Sequence, residues 1–348
     1  MVRKKRQLIC FYYVPEGKFN INRFEKICSI LDLEKNIHFS MKNNQFERWS
    51  HFTNYFDYFF KNIKLCFCGV FRIIKYSNHN TFWIQRRFIA HYDFPSNIYE
   101  KIIKLLGIKI IMDYYDADIL RNYKLYSELG QISHQITVSN KNLKSIYTGI
   151  NSNILIIPLT IDEKKYSTSK NYPNSKIIIG WMGSVQNSKG LKQHQNELVN
   201  LQAKYPEISF QFICGEKPNL SDLKFEHFKY DEVCIKEWIE KITFGLSLYP
   251  NSNNPKENKY LKCKSPFKTM EYMYTKTAVI SDEYGKYPGM IKFKHFLPLE
   301  EQNSEQFERN FDEIIEKKNK SKIVLNSLHF YNTNMRIDKN SDINKLLI

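Results

Sequence analysis

The sequence predicts an α/β protein built from two parallel, helix-covered sheets. Three observations carry that expectation. The chain has 348 residues, too many for one ordinary core and suited to two domains of about 150 residues each. Short apolar runs alternate with helical patterns along most of it, which is the signature of βαβ units. That rhythm stops at the turn-rich stretch Asn171-Tyr172-Pro173-Asn174-Ser175 and starts again just after it, which marks the best domain boundary.

The elements follow in order. Residues 8–14 read as a buried strand, and Gly17 opens a turn into a helical stretch over 19–31. A strand at 82–85, a helix at 98–106 and a strand at 108–112 come next, the last leaving directly from Gly107. After the boundary, a strand at 176–181 is followed by a helix at 195–204, a strand at 209–214, a helix at 233–241 and a strand at 244–249. Beyond residue 304 the chain turns rich in Lys, Glu and Asn, and 305–318 reads as an exposed helix. In such folds ligands bind outside the carboxyl ends of the strands.

Composition narrows the class. A hydrophobic share of 42% with 25% charged residues is globular, not disordered. The seven cysteines are dispersed and lack paired metal-ligand spacing, so neither zinc nor a disulfide framework is indicated, and they fit a reducing, cytoplasmic setting. Basic residues 1–6 precede an apolar run that ends at Pro15, a short strand rather than a signal peptide. The formal charge of +16 is uneven: residues 1–160 hold 23 Lys and Arg against 12 Asp and Glu, a net of +11. A basic first half points to an anionic partner or to solubility alone.

Residues 51–75 combine both properties. Phe52, Tyr55, Phe56, Phe59, Ile63, Phe67, Phe71 and Ile74 recur at helical spacing, with Lys61, Lys64, Arg72 and Lys75 between them. Packing of this face on the first sheet is the commoner arrangement. A peripheral contact with an anionic membrane is the alternative.

The most telling segment is Lys264-Ser265-Pro266-Phe267-Lys268-Thr269-Met270-Glu271-Tyr272-Met273. Ser265 suits a helix N-cap and Pro266 the first helical position, so the free N–H groups of that turn favour an anion. Lys264 and Lys268 lie at the end where the helix dipole disfavours cations, unless an anion binds there. Glu271 follows Lys268 one turn deeper on the same face.

Together with Thr277-Ala278-Val279-Ile280-Ser281, this segment resembles the donor-site helix and strand of retaining GT-B glycosyltransferases of the family 4 type, the group 1 glycosyl transferases. Four further stretches are similar to that family in its own order: Ile110 to Asp118, Thr137 to Asn140, Ile156 to Asp162, and Ile178-Ile179-Gly180-Trp181-Met182-Gly183-Ser184. The resemblance covers about residues 80–290. It implies two Rossmann-like domains facing a central cleft, an acceptor-binding domain at 1–170, a nucleotide-sugar domain at 171–325, and a segment at 326–348 returning to the first domain.

It also implies site residues. Gly183 and Ser184 let backbone approach the donor diphosphate, and Lys189 before Gly190 corresponds to a family lysine that neutralises the leaving phosphate. Lys268 is the second cation, and Lys264, Ser265, Pro266 and Phe267 line the phosphate end of the helix. Glu271 corresponds to the ribose-binding carboxylate. Asp113 counts with Lys189 and Lys268 among the catalytic candidates, while Gly17, Arg86, Arg87 and His91 fall on the acceptor side. No cofactor and no metal are expected, since two lysines and a helix end can neutralise a pyrophosphate, and no catalytic base is assigned because the departing phosphate can take the acceptor proton.

The chain departs from the family at three places: Ser184 stands where many relatives have Arg, Cys263 where many have Glu, and the first glycine-rich turn is reduced to Gly17. The expected activity is transfer of a sugar from a UDP- or GDP-linked donor to a glycan, lipid-linked or protein acceptor in bacterial surface-polysaccharide assembly, by a cytoplasmic protein that is peripheral at the membrane. A sugar-nucleotide epimerase of the same fold is an alternative. So is a basic nucleic-acid-binding protein, although the chain carries no recognisable nucleic-acid motif, and nucleic acid is not the expected partner.

Overall fold

A computed structural model describes residues 6–12, 18–33, 37–39, 54–89, 96–166, 168–170, 176–230, 233–339 and 342–346. The chain divides into two compact units, Met1–Thr160 with Ile337–Ile348, and Ile161–Arg336.

The first unit holds β1 (Arg6–Tyr12), α1 (Lys18–Ile30), β2 (Ile37–Phe39), α2 (Tyr55–Lys61), α3 (Ile63–Tyr76), β3 (His79–Gln85) and α4 (Ile98–Leu105). It continues through β4 (Lys109–Tyr114), α5 (Tyr123–Ile132), β5 (Gln135–Val138), α6 (Lys141–Tyr147) and β6 (Ile154–Ile156). Its six strands run in the order β2-β1-β3-β4-β5-β6, every pair parallel. Helices cover such a sheet on both faces, so its strands read as continuous apolar runs rather than alternating ones. Phe82, Trp83, Ile84, Ile110, Ile111 and Met112 are all fully buried.

In the second unit come β7 (Ile177–Met182), α7 (Ser188–Gln193), α8 (Gln195–Lys204), β8 (Ile208–Ile213), β9 (Phe225–Phe228), α9 (Ile235–Lys241) and β10 (Phe244–Ser247). After these follow α10 (Pro255–Cys263), α11 (Phe267–Tyr274), β11 (Ala278–Ser281), β12 (Leu297–Pro298), α12 (Glu305–Lys317) and α13 (Lys322–Asn334). The strand order is β12-β11-β10-β7-β8-β9, again all parallel. Counted from β7, that is the dinucleotide-fold order 3-2-1-4-5-6 read from the other edge, and the chain reverses direction between β7 and β10. A crevice opens at such a switch point, outside the carboxyl ends of those two strands.

The unit boundaries differ from the expected 170/171 and 325/326. Residues 161–170 belong to the second unit because its side chains hold them. The Tyr331 hydroxyl donates to Glu163 at 2.9 Å, and Lys170 donates to the carbonyl of Ile239 at 2.7 Å and to Thr277. Burial pushes the Lys170 ammonium down to about 7. The rest of α13 beyond residue 325 also stays in the second unit, where Tyr331 is buried with its ring 5.5 Å from that of Tyr274. Only the stretch from Ile337 returns: Ile337, Ile343 and Leu346 pack among Leu8, Phe24 and Trp83, and Gln135 donates to the carbonyl of Lys345 at 3.1 Å.

Two helices depart from expectation. Residues 305–318 do form a helix, α12, but Phe307, Phe311 and Ile314 are buried in the second core, so it is amphipathic rather than simply exposed. The aromatic stretch is two helices, α2 and α3, separated at Asn62, and Phe56, Phe59, Phe60, Phe67, Phe71 and Ile74 are exposed instead of packed on the sheet. Among the described residues no helix is long and apolar enough to cross a membrane. All seven cysteines are free thiols, five of them buried and Cys68 and Cys234 exposed.

Candidate functional site

At the carboxyl end of β7 the chain must turn sharply beside bulky neighbours, and glycine alone fits. A Cβ on Gly183 would lie 2.4 Å from the Trp181 ring and 2.6 Å from the Lys268 ammonium. Lys268, from the first turn of α11, therefore reaches across to the strand end, and its ammonium sits 4.6 Å from the centre of the Trp181 indole. Gly190 does the same job for α7. A Cβ there would meet the Leu248 carbonyl oxygen at 2.9 Å, so the helix rests directly on the loop after β10. Both strands flanking the switch point thus have their following segments drawn in close.

Asp282, just past β11, ties the rim together. It accepts from the backbone N–H groups of Tyr249 at 2.7 Å, Tyr284 at 2.9 Å and Gly285 at 2.5 Å. His194, at the junction of α7 and α8, lies 3.6 Å from the same carboxylate. That neighbour holds the imidazole pKa above its ordinary value even though burial opposes it.

The start of α11 differs from the sequence reading by one residue. Pro266 is the N-cap and Phe267 the first helical residue, and the proline side chain makes no capping hydrogen bond. Ser265 is buried one position too early to serve. The reason lies upstream, because α10 runs to Cys263 and Lys264 is its C-cap, leaving only Ser265 before the N-cap of α11. Lys264 is also a cation at a helix C-terminus, where the dipole favours it, and its ammonium packs 5.3 Å from the Tyr249 ring and 5.5 Å from the Tyr260 ring.

Lys268 has no such account. It is mostly buried, and no hydrogen-bond acceptor or carboxylate within ion-pair distance meets its ammonium among the described residues. Burial brings its pKa down to about 8, with Glu271 pulling it up and Lys264 pushing it further down. Glu271, one turn along, is buried as well, and burial raises its carboxyl pKa to about 7 against the lowering effect of a hydrogen bond from Tyr166 and of the Lys268 charge. Two buried groups of opposite charge, each with a perturbed pKa, at the end of a strand make a functional-site candidate.

Tyr166 was not foreseen. Its hydroxyl donates to Glu271 Oε1 from a polar stretch 105 residues earlier, and nothing in a local pattern announces such a partner. For Tyr230, past the end of β9, burial and then the Glu271 charge raise the pKa to about 12. Ser184 is exposed beside Gly183, and Lys189 is exposed on the first turn of α7.

The candidates of the first unit fare differently. Asp113 is fully buried at the end of β4 and wholly engaged. Arg23 donates to its two oxygens at 2.7 and 2.5 Å, Thr137 to Oδ1 at 2.6 Å and Gln85 to Oδ2 at 3.2 Å. Arg23 also donates to the Ile157 carbonyl, so this pair fastens α1 to the sheet. In this structure the carboxylate expected to be catalytic serves as the anchor of that pair.

Arg86 follows β3 with a φ of 62° and is buried against Asp116 at 2.5 Å and Asp118 at 3.0 Å, its guanidinium 4.4 Å from the Tyr115 ring centre. Arg87 donates to the Ser96 carbonyl at 2.5 Å. Gly17 and His91 lie outside the described residues. Among the described residues no group of His, Cys, Asp and Glu could hold a metal ion.

No protein-family model matches the sequence, and no curated protein matches it either. Solved structures do match. A trehalose-6-phosphate structure from E. coli bound with UDP-2-fluoro glucose superposes with a TM-score of 0.59 at 10% identity, over 98% of this chain and 99% of that one. An α,α-trehalose-phosphate synthase (UDP-forming) from Burkholderia vietnamiensis gives 0.59 at 8% identity, over 97% and 95%. TarM gives 0.51 at 11% identity, over 80% of this chain and 56% of that one. With two parallel six-stranded sheets and full-length superposition on such proteins, the chain has the GT-B fold of glycosyltransferases.

Proposed function

We propose that the chain is a retaining glycosyltransferase. It moves a sugar from a UDP- or GDP-linked donor to a glycan, lipid-linked or protein acceptor, in bacterial surface-polysaccharide assembly. The observation that carries this reading is Lys268: a mostly buried cation without a carboxylate partner among the described residues, set against the glycine turn at the switch point of the second sheet. A donor diphosphate supplies the missing charge. Fixed positive charge at the leaving group is the main electrostatic lever for such a transfer. Gly183 lets the Lys268 ammonium lie against the end of β7, and Lys189 adds an exposed cation from α7.

Glu271 suits the ribose, since an ionised carboxylate accepts from two vicinal hydroxyls. In the unliganded protein Tyr166 holds one of its oxygens, so the ribose must share or replace that hydrogen bond. Support from the neighbours lies in the ligands they hold: UDP-2-fluoro glucose in one, and UDP in a complex of a mutant S. aureus TarM.

A thermal-shift series in EDTA tests the reading. A nucleoside diphosphate at 100 times its dissociation constant adds about 2.7 kcal/mol to stability. UDP or GDP is expected to raise the melting temperature without added metal. A response to a single-stranded oligonucleotide alone would overturn the assignment in favour of nucleic-acid binding.

The affinity for the responding nucleotide should also depend on pH with two limbs. Glu271 must be ionised to accept, so binding weakens as pH falls through about 7. Lys268 must be protonated, so binding weakens again as pH rises through about 8. The groups interact, so the limbs belong to the pair. Isothermal titration on both sides of that window should give a maximum between the limbs, and Glu271→Gln should remove the acid limb and move the alkaline limb to lower pH, because the Glu271 charge holds the Lys268 pKa up.

A further inference from the structure

We propose that α2, α3 and the outer face of α4 form a docking surface for an anionic phospholipid membrane. Helix α3 has a complete inner face without its aromatic residues. Asn62 at its N-cap and Cys66, Gly69 and Ile73 form a buried stripe at spacings of four, three and four. Tyr99 of α4 seals this stripe. Its ring lies against Gly69, where a Cβ would be 2.5 Å away, and its hydroxyl donates to the Cys66 carbonyl at 2.9 Å.

A second stripe, more than a third of a turn round the same helix, stays in solvent: Phe67 is 64% exposed, Phe71 75% and Ile74 60%. Helix α2 adds Phe56 at 70% and Phe60 at 54%, their rings 4.5 Å apart. On α4, Ile98 and Leu105 are exposed, opposite the buried Tyr99 and Ile103. So many large apolar side chains in solvent on three successive helices are rare on a soluble protein and mark an interaction surface.

Charge selects the occupant. Lys61, Lys75 and Lys104 each stand in the last turn of one of these helices, where the dipole favours a cation, and all three are exposed together with Lys101. Against them α2, α3 and α4 offer Asp57, already engaged by Asn54 at 2.8 Å, and Glu100, which is buried. Aromatic rings interleaved with lysines fit the headgroup level of an anionic leaflet, where rings enter the acyl boundary and ammonium groups meet phosphates. The net +11 of residues 1–160 extends the same attraction.

Sedimentation with phosphatidylcholine vesicles, with and without about 30% phosphatidylglycerol, tests the surface. The full chain is expected to sediment with the anionic vesicles at about 50 mM salt and to be released at about 300 mM, because the attraction falls off within a Debye length. Lys61→Glu with Lys75→Glu should weaken partitioning by about fivefold or more for each site. Phe67→Ser, Phe71→Ser and Ile74→Ser together should abolish it, and since the three side chains are exposed, the variant keeps its melting temperature.

No sedimentation at low salt overturns the proposal, as does binding indifferent to the triple variant. A concentration-dependent dimer that the triple variant dissociates, without vesicle binding, would assign the surface to a second copy instead. Nucleotide-induced stabilisation, measured alongside, reports the second unit separately, so loss of one leaves the other readable.

Discussion

Lys268→Met is expected to raise the melting temperature of the unliganded protein while abolishing its stabilisation by UDP or GDP. The two signs come from one cause. Burial lowers the Lys268 pKa from its ordinary 10.5 to about 8, so the folded protein disfavours the ammonium relative to the unfolded chain. That penalty is present in full below about pH 8, where the folded protein carries the charge, and it fades as the folded group deprotonates. An uncharged methionine of similar length avoids it and can still lie on the Trp181 ring. The same change removes the cation that meets the departing phosphate. Losing one preorganised charge or donor at a transition state typically lowers turnover by about 10²–10³-fold, and a comparable fall is expected here once a donor and acceptor are found. Differential scanning of both proteins with and without nucleotide checks the pair of signs. A variant that melts lower, yet still responds to nucleotide as the parent does, would make Lys268 an ordinary buried lysine. Such opposition between stability and activity is usual where a fold keeps a strained group for function.

Most of the second unit was legible in the sequence because its signals are local. A continuous apolar run ending in glycine, such as Ile177 to Gly183, dictates a buried parallel strand and a turn. The helix at Gln195–Lys204 has the bounds its pattern predicts. Helix α11 starts one residue away from its expected place, since the sequence offers both Ser265 and Pro266 as boundary residues. The tie is broken by α10, which takes Lys264 as its C-cap. What stayed hidden is whatever depends on distant partners. Tyr166 finds Glu271, and Lys170 finds Ile239 and Thr277, only once the chain has folded. Exposure was hidden as well. The aromatic periodicity of 51–75 predicts helix, and from Tyr55 on the chain is helical, while Phe52 lies outside the described residues; the pattern cannot say which of two apolar stripes faces the core. Gly69 decides that, because only a glycine lets Tyr99 close on α3 from that side.

Asp113 is the position where local reading and structure part most sharply, and it carries the largest expected effect on stability. A carboxylate at a strand end of a parallel sheet sits where ligands bind, so it reads as functional. Ninety residues upstream, Arg23 takes both of its oxygens in a site closed to water. Removing one partner of a buried ion pair typically costs about 3–5 kcal/mol, because the other charge is left without compensation. Asp113→Ala should therefore lower the stability of the first unit by that order, with Thr137 and Gln85 losing their acceptor as well. Replacing both partners, by Arg23→Met with Asp113→Leu, should recover most of the loss, since an apolar pair of similar volume needs no compensation. Urea unfolding of the two variants measures the difference, and nucleotide-induced stabilisation monitors the second unit throughout. A structural anchor predicts activity that follows the folded fraction. If Asp113→Asn instead keeps the parent's unfolding midpoint and loses turnover, the carboxylate acts on substrate and the strand-end reading is restored.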